Sequence, residues 1–356
     1  GVAISGDSSS AAVALAGGGV GILNTATNVL TKYNPATPYA PGGVFSGAPK
    51  SVVYVGSELF VGNASVPYLT YFTPPENTGK RDLTGIGGSC DLASVPTQGS
   101  SFIVTSENTN VINYVYSWNY AIYAINVGSN PCGVAVAPSG AFAYVANMGS
   151  NNVSRIDLAT RTVTATIAVG TSPTAVAFSP DGLAYVTNMA SNTVSRIDTA
   201  RNTVTATLSV GASPTDIAVV PDGSFAYVTN YSDNTVTRLN LTPAAPMITS
   251  LTPGNGTASA AFTAPAANGS EAVSNYQYST DNGATWTART PAATTSPLVI
   301  PGLANGTAYQ VKLRAVNAAG AGAASNVAVV TPRTTPGAPT IVAVTGGVRS
   351  ASAAFN

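Results

Sequence analysis

One tetrapeptide returns along this chain at a fixed step: Tyr144-Val-Ala-Asn147, Tyr185-Val-Thr-Asn188 and Tyr227-Val-Thr-Asn230, spaced 41 and 42 residues apart. Each copy sits in the same surroundings. A proline and a short apolar run come first, then Pro-Ser/Asp-Gly, the tetrapeptide, and Asn-x-Val-x-Arg. The first two copies continue into Thr-Val-x-Ala-Thr. Such a unit has room for four short strands, and a lone four-stranded sheet cannot bury both of its faces. It must stack on further copies of itself.

Weaker copies extend the series upstream. Ile103-Val-Thr-Ser106 lies 41 residues before Tyr144, Phe60-Val-Gly-Asn63 lies 43 before that, and Val13-Ala-Leu-Ala16 a further 47. The segment 21–29 echoes 195–203 almost position for position. These motifs resemble the YVTN-repeat family of β-propellers, most specifically over 129–240. The resemblance implies a propeller of about six four-stranded blades across 1–241, with a longer connection at 34–47 and a loop at 74–79. It implies no single activity.

Each blade reads from local chemistry. Ala175–Phe178 and Ile217–Val220 are unbroken apolar runs, as expected of an innermost strand buried on both faces. Pro180-Asp-Gly182 and Pro221-Asp-Gly223 turn the chain, because proline presets φ, aspartate bonds its own backbone and glycine accepts positive φ. The third strand alternates (Val194, Ser195, Arg196, Ile197), and the Thr/Val-rich outer strand suits a half-exposed edge.

A proline-rich hinge, Thr242-Pro-Ala-Ala-Pro246, opens a second region, 242–335. Leu303-Ala-Asn-Gly-Thr-Ala-Tyr309 matches the Leu-x-x-Gly-Thr-x-Tyr signature, and over 243–332 the chain resembles a fibronectin type III module. The resemblance implies an all-β sandwich with Tyr309 as a tyrosine corner, its hydroxyl tied to an upstream backbone group. Lys312, Arg314 and Asn317 are read as a wet face against Val311, Leu313 and Ala315, with Phe262 filling the core slot usual for tryptophan and Trp286 beside a hairpin turn. In 336–356, Ala338-Pro339 and Ser352–Phe355 repeat Ala245-Pro246 and Ser259–Phe262 at an offset of 93. Two strands are not a stable module. The tail is read either as the start of a second module in a longer chain or as a strand-donating element.

Composition narrows the partners. Charged residues make up 8% of the chain and the net charge is zero, so no basic patch exists to neutralise phosphates. Nucleic acid is therefore not expected as a partner. Ala11–Leu23 carries four glycines and is too short to span a bilayer, so no membrane span is expected. The Gly-, Ala-, Ser-, Thr- and Asn-rich bias fits a secreted or cell-surface protein, and an opening at Gly1 fits either a cleaved leader or a cut chain. Cys90 and Cys132 each precede a proline by six residues, at equivalent positions in adjacent blades. We read them as a disulfide in an oxidising compartment, against the alternative of two buried thiols.

Catalytic constellations are mostly excluded. Without a histidine there is no Ser-His-Asp or Cys-His system, and two cysteines alone make no structural zinc site. No catalytic residue, metal or cofactor is expected. Asp181 and Asp222 are read as turn formers, Asp157 and Asp198 as strand-end contacts, and Asp91 and Asp216 as channel-facing polar residues. Tyr114, Tyr116, Trp118, Tyr120 and Tyr123 form the densest aromatic cluster, which either packs between blades or meets a protein or glycan. The chain is thus expected to be a non-enzymatic secreted or cell-surface adhesive protein, its partners at the cell surface including copies of itself. The alternatives are a filament or sheath subunit joined by strand exchange, and an accessory region of a polysaccharide-active enzyme.

Overall fold

The structure is a computed structural model describing residues 2–4, 10–14, 20–28, 30–33, 49–55, 58–63, 68–73, 77–82, 89–95, 101–180, 182–266, 268–334 and 340–355. The chain is all-β, with no helix among the described residues and so none long and apolar enough to cross a membrane. It divides into two compact units, Gly1–Leu241 and Thr242–Asn356.

The first unit holds six antiparallel sheets in chain order, within 2–33, 49–82, 89–126, 131–168, 173–209 and 214–240. In each, every strand pairs with its successor. The first five have four strands and the sixth has three: Pro214–Val219, Phe225–Asn230 and Thr235–Asn240. The first strands of neighbouring sheets lie side by side, from Pro49–Val55 through Ser89–Ser94, Pro131–Val136 and Pro173–Phe178 to Pro214–Val219.

The register explains the repeat. Tyr144 stands opposite Ala135 and Arg155, Tyr185 opposite Ala177 and Arg196, and Tyr227 opposite Ala218 and Arg238. The motif asparagine is a clamp. Asn188 is buried, and its Nδ2 donates to Thr193 Oγ1 at 3.1 Å and Ser195 Oγ at 2.9 Å, closing the hairpin onto the third strand. Asn147 and Asn230 make the same pair of bonds in their sheets. A Cβ added to Gly170 would lie 2.6–2.8 Å from the Asn188 side chain, so this position must be glycine for the clamp to seat. The arginine of the third strand stacks on an aromatic, Arg155 over Phe142 at 4.2 Å and Arg238 over Phe225 at 4.0 Å.

Two expectations need correcting. In the fifth sheet the most buried strand is the second, Leu183–Asn188, because it is covered by neighbouring sheets on both faces; the innermost, Pro173–Phe178, is half-buried. Asn77–Gly79, expected in a loop, belong to the strand Asn77–Asp82. The connection 34–47 and Asp181 lie outside the described residues. At 21–29 the echo is structural: Asn24 Oδ1 accepts from the Ala26 and Thr27 N–H groups as Asp198 Oδ1 does from Ala200 and Arg201.

The second unit has two antiparallel sheets contributing to one core. Ile248, Ala260 and Phe262 come from one, and Tyr276, Val311 and Leu313 from the other. Tyr309 Oη accepts from the Ala304 N–H at 3.0 Å, and Arg314 stacks over Trp286 at 4.3 Å. Asn317 is buried rather than on a wet face, its Nδ2 donating to the Asn268 carbonyl at 2.9 Å, because it shares the parity of Val311 and Leu313. Ile341–Gly347 and Ser350–Phe355 pair as an isolated hairpin whose described side chains are exposed.

Candidate functional site

The starts of the inner strands enclose a cavity of about 340 Å³. One ring of its lining comes from one repeat position: Lys50, Cys90, Cys132, Thr174 and Thr215. The next position supplies Asp91, Ala175 and Asp216, and the residue after the motif strand supplies Glu107, Met148 and Met189. Close approach of the inner strands builds this wall. A Cβ on Gly133 would lie 2.4 Å from the Thr174 carbonyl oxygen, so only glycine lets the two backbones meet. Thr174 Oγ1 donates to the Pro214 carbonyl at 3.1 Å, and Thr105 Oγ1 to that of Cys132.

Asp91 and Asp216 therefore share one cavity. Asp91 also ties two sheets together, accepting from Leu92 N–H at 2.8 Å in its own strand and from Val134 N–H at 3.0 Å in the next sheet. Burial pushes its carboxyl up to about 6, against the opposing pull of those two N–H donors, and the Asp216 charge adds to the rise. Asp216 is exposed and accepts from Ile217 N–H at 2.8 Å.

Cys90 and Cys132 are joined by a disulfide, with Cα atoms 5.0 Å apart and a sequence separation of 42. Glu107 stands beside them. Its carboxylate and the two sulfurs lie within 4.8 Å of one another, and Glu107 is ion-paired with Lys50. The two cysteines are thus accompanied by a third potential metal donor. Sequence reading passed over Glu107 and Lys50. Aligning the repeats would have found them, since Glu107 occupies the place of Met148 and Met189, and Lys50 that of Cys132 and Thr174.

The aromatic cluster divides. Tyr114 is fully buried with its hydroxyl 2.8 Å from Ser101 Oγ, and burial raises its pKa; it belongs to the core, not to a partner surface. Tyr120 packs against the apolar group that includes Val53, Phe60 and Phe102. Trp118 and Tyr123 reach the surface, with the half-buried Tyr116 ring inclined at 60° to Trp118 and 85° to Tyr123. Trp118 is 72% exposed and Tyr123 43%. The Tyr116 ring lies 6.2 Å from Trp118 and 5.8 Å from Tyr123. Arg161 braces the group, stacking over Tyr123 at 4.3 Å and donating to Tyr116 Oη at 2.9 Å.

No known family model matches the chain. Over 52 residues it is 54% identical to the PE-PGRS family protein PE_PGRS18 of Mycobacterium tuberculosis, a stretch that is 15% of this chain and 11% of that protein. Among solved structures, a chain from a mitotic checkpoint complex aligns with a TM-score of 0.57 at 17% identity, over 67% of this chain and 73% of that one. Its fold is propeller-like, and at this identity the likeness is one of fold alone. Hydrazine synthase of Kuenenia stuttgartiensis aligns with a TM-score of 0.47 at 16% identity, over 67% of this chain and 94% of that one.

Proposed function

We propose that this is a non-enzymatic secreted or cell-surface adhesive protein. In this reading 1–241 forms a six-bladed propeller of the YVTN-repeat kind, and 242–335 is a fibronectin type III-like spacer. The observation that carries the function is the exposed Trp118 indole, backed by the half-buried Tyr116 and flanked by Tyr123 under Arg161. An exposed indole backed by a further ring stacks on a sugar ring or anchors a protein contact. The disulfide supports an oxidising compartment. The test is binding of the chain to panels of surface polysaccharides and extracellular proteins. Trp118→Ala is expected to weaken the interaction roughly tenfold or more without changing the melting temperature. Equal binding by this variant, or no binding to either panel, sinks the reading.

A second reading, a subunit joined to its copies by strand exchange, is favoured by the sixth sheet. In the fifth sheet Asn192 accepts from the Val210 N–H at 3.2 Å through its carbonyl and from the Ser213 N–H at 2.9 Å through Oδ1, seating the fourth strand. Asn234 has a left-handed φ of 54°, matching the 55° of Asn192, but its sixth sheet has no fourth strand among the described residues. One face of this sheet is bare as well: Tyr227 is 47% exposed and Val236 61%, whereas Tyr185 and Val194, on the face the fifth sheet turns to the sixth, are at 0%. An open edge of this kind recruits a strand. The exposed hairpin 341–355 of a second copy is the donor in this reading. Sedimentation velocity then shows concentration-dependent oligomers that vanish when 336–356 is deleted; oligomers that survive the deletion, or a monomer throughout, exclude it.

A further inference from the structure

We propose that the disulfide position is also a metal site: once Cys90 and Cys132 are reduced, their two thiolates and the Glu107 carboxylate bind one zinc ion at the cavity wall. The three donor atoms already lie within 4.8 Å of one another. Tetrahedral zinc with Zn–S near 2.3 Å and Zn–O near 2.1 Å places its ligands about 3.5–3.8 Å apart, so small side-chain rotations suffice. The backbone supplies the preorganisation. Adjacent inner strands fix the two Cα atoms 5.0 Å apart, and Thr105 ties the Cys132 carbonyl to the third sheet, contacts that do not depend on the sulfur–sulfur bond.

Donor chemistry selects the ion. Two soft thiolates and one carboxylate suit zinc and disfavour magnesium and calcium, which take oxygen ligands. Asp91 is not a fourth ligand, since its oxygens are engaged by the Leu92 and Val134 N–H groups. The three residues line the cavity, so a water there can complete the coordination, as in zinc sites that keep an exchangeable ligand. Lys50, now paired with Glu107, is displaced by the metal and stays beside it. Three anionic ligands around a doubly charged ion leave one negative charge for Lys50 to balance. Disulfide and zinc thus exclude each other, and the redox state decides which closes the cavity wall.

The step balances with a phosphine reductant. The phosphine gives two electrons to the sulfur–sulfur bond and takes oxygen from water to become its oxide. The two water protons go to the thiols, and zinc then displaces both to solvent. In the experiment, full-length chain, oxidised or reduced with phosphine under anaerobic conditions, is mixed with zinc, desalted and assayed for bound metal. Cobalt in place of zinc reports thiolate ligation through its charge-transfer band. One zinc per reduced chain and none per oxidised chain is expected. Glu107→Gln should weaken binding by at least about tenfold. An oxidised Glu107→Gln chain that melts with the parent assigns the loss to the site and not to folding. Circular dichroism of the reduced chain covers the case in which reduction unfolds it, zinc then being expected to restore the fold. The proposal is overturned if reduced chain retains no zinc, if Glu107→Gln binds as tightly as the parent, or if oxidised chain binds equally.

Discussion

The buried asparagine of the repeat donates twice to the third strand, at its first and third residues, and it requires a glycine from the preceding connection to lie against it. Asn188→Ala should cost about 1–3 kcal/mol, the price of two buried donor bonds and their unpaired acceptors. Gly170→Ala should be worse in the parent than over Asn188→Ala, because the added methyl then enters the space the amide has left. A double-mutant cycle by denaturant unfolding should give a coupling of about 0.5–3 kcal/mol; strictly additive effects contradict the steric account. Two strand-end aspartates contribute to the acid sensitivity. Thr160 N–H and hydroxyl groups hold the Asp157 carboxyl below its ordinary value, and the Arg201 guanidinium holds Asp198 below its own. A depressed folded pKa contributes stability above the unfolded value of about 4 and loses it as pH falls through the folded value. Melting temperatures followed from about pH 7 to about pH 2 should therefore fall less steeply for the Asp157→Asn/Asp198→Asn double variant than for the parent; parallel curves would dismiss these two residues as the cause.

At the scale of the strand and the sheet, the repeat made much of the architecture legible. Position within a 41- or 42-residue unit predicts which residue pairs with which, and Tyr144 and Tyr185 keep the same opposing partners. Burial was harder to read. An apolar run such as Ala175–Phe178 looks like a strand covered on both sides, but its small side chains serve close approach of backbones around a cavity, and that depends on the neighbouring sheets. For the same reason Tyr114 and Trp118, four residues apart, read alike in sequence and end in the core and in solvent. The cysteines were readable because they share one repeat position, whereas Glu107 breaks its position's apolar pattern without matching any known motif. Reducing the disulfide without added metal should destabilise the first unit by about 2–4 kcal/mol, mainly by freeing its unfolded chain. Calorimetry with and without reductant measures the shift.

At the scale of the molecule the chain forms two compact units, each with its own core. Calorimetry of the whole protein should resolve two transitions, of which reduction lowers one and leaves the other in place; a single transition moving as one would mean that the units unfold together. The disulfide has a further consequence if the chain is pulled from its ends. The loop between Cys90 and Cys132, a sequence separation of 42, lies outside the line of force, so an oxidised chain drawn taut is shorter by about 140 Å at roughly 3.4 Å per residue. That slack is released only when the sulfur–sulfur bond is cut. In a force-extension trace the contour length of one and the same polypeptide should therefore take two values, set by the redox state of its surroundings.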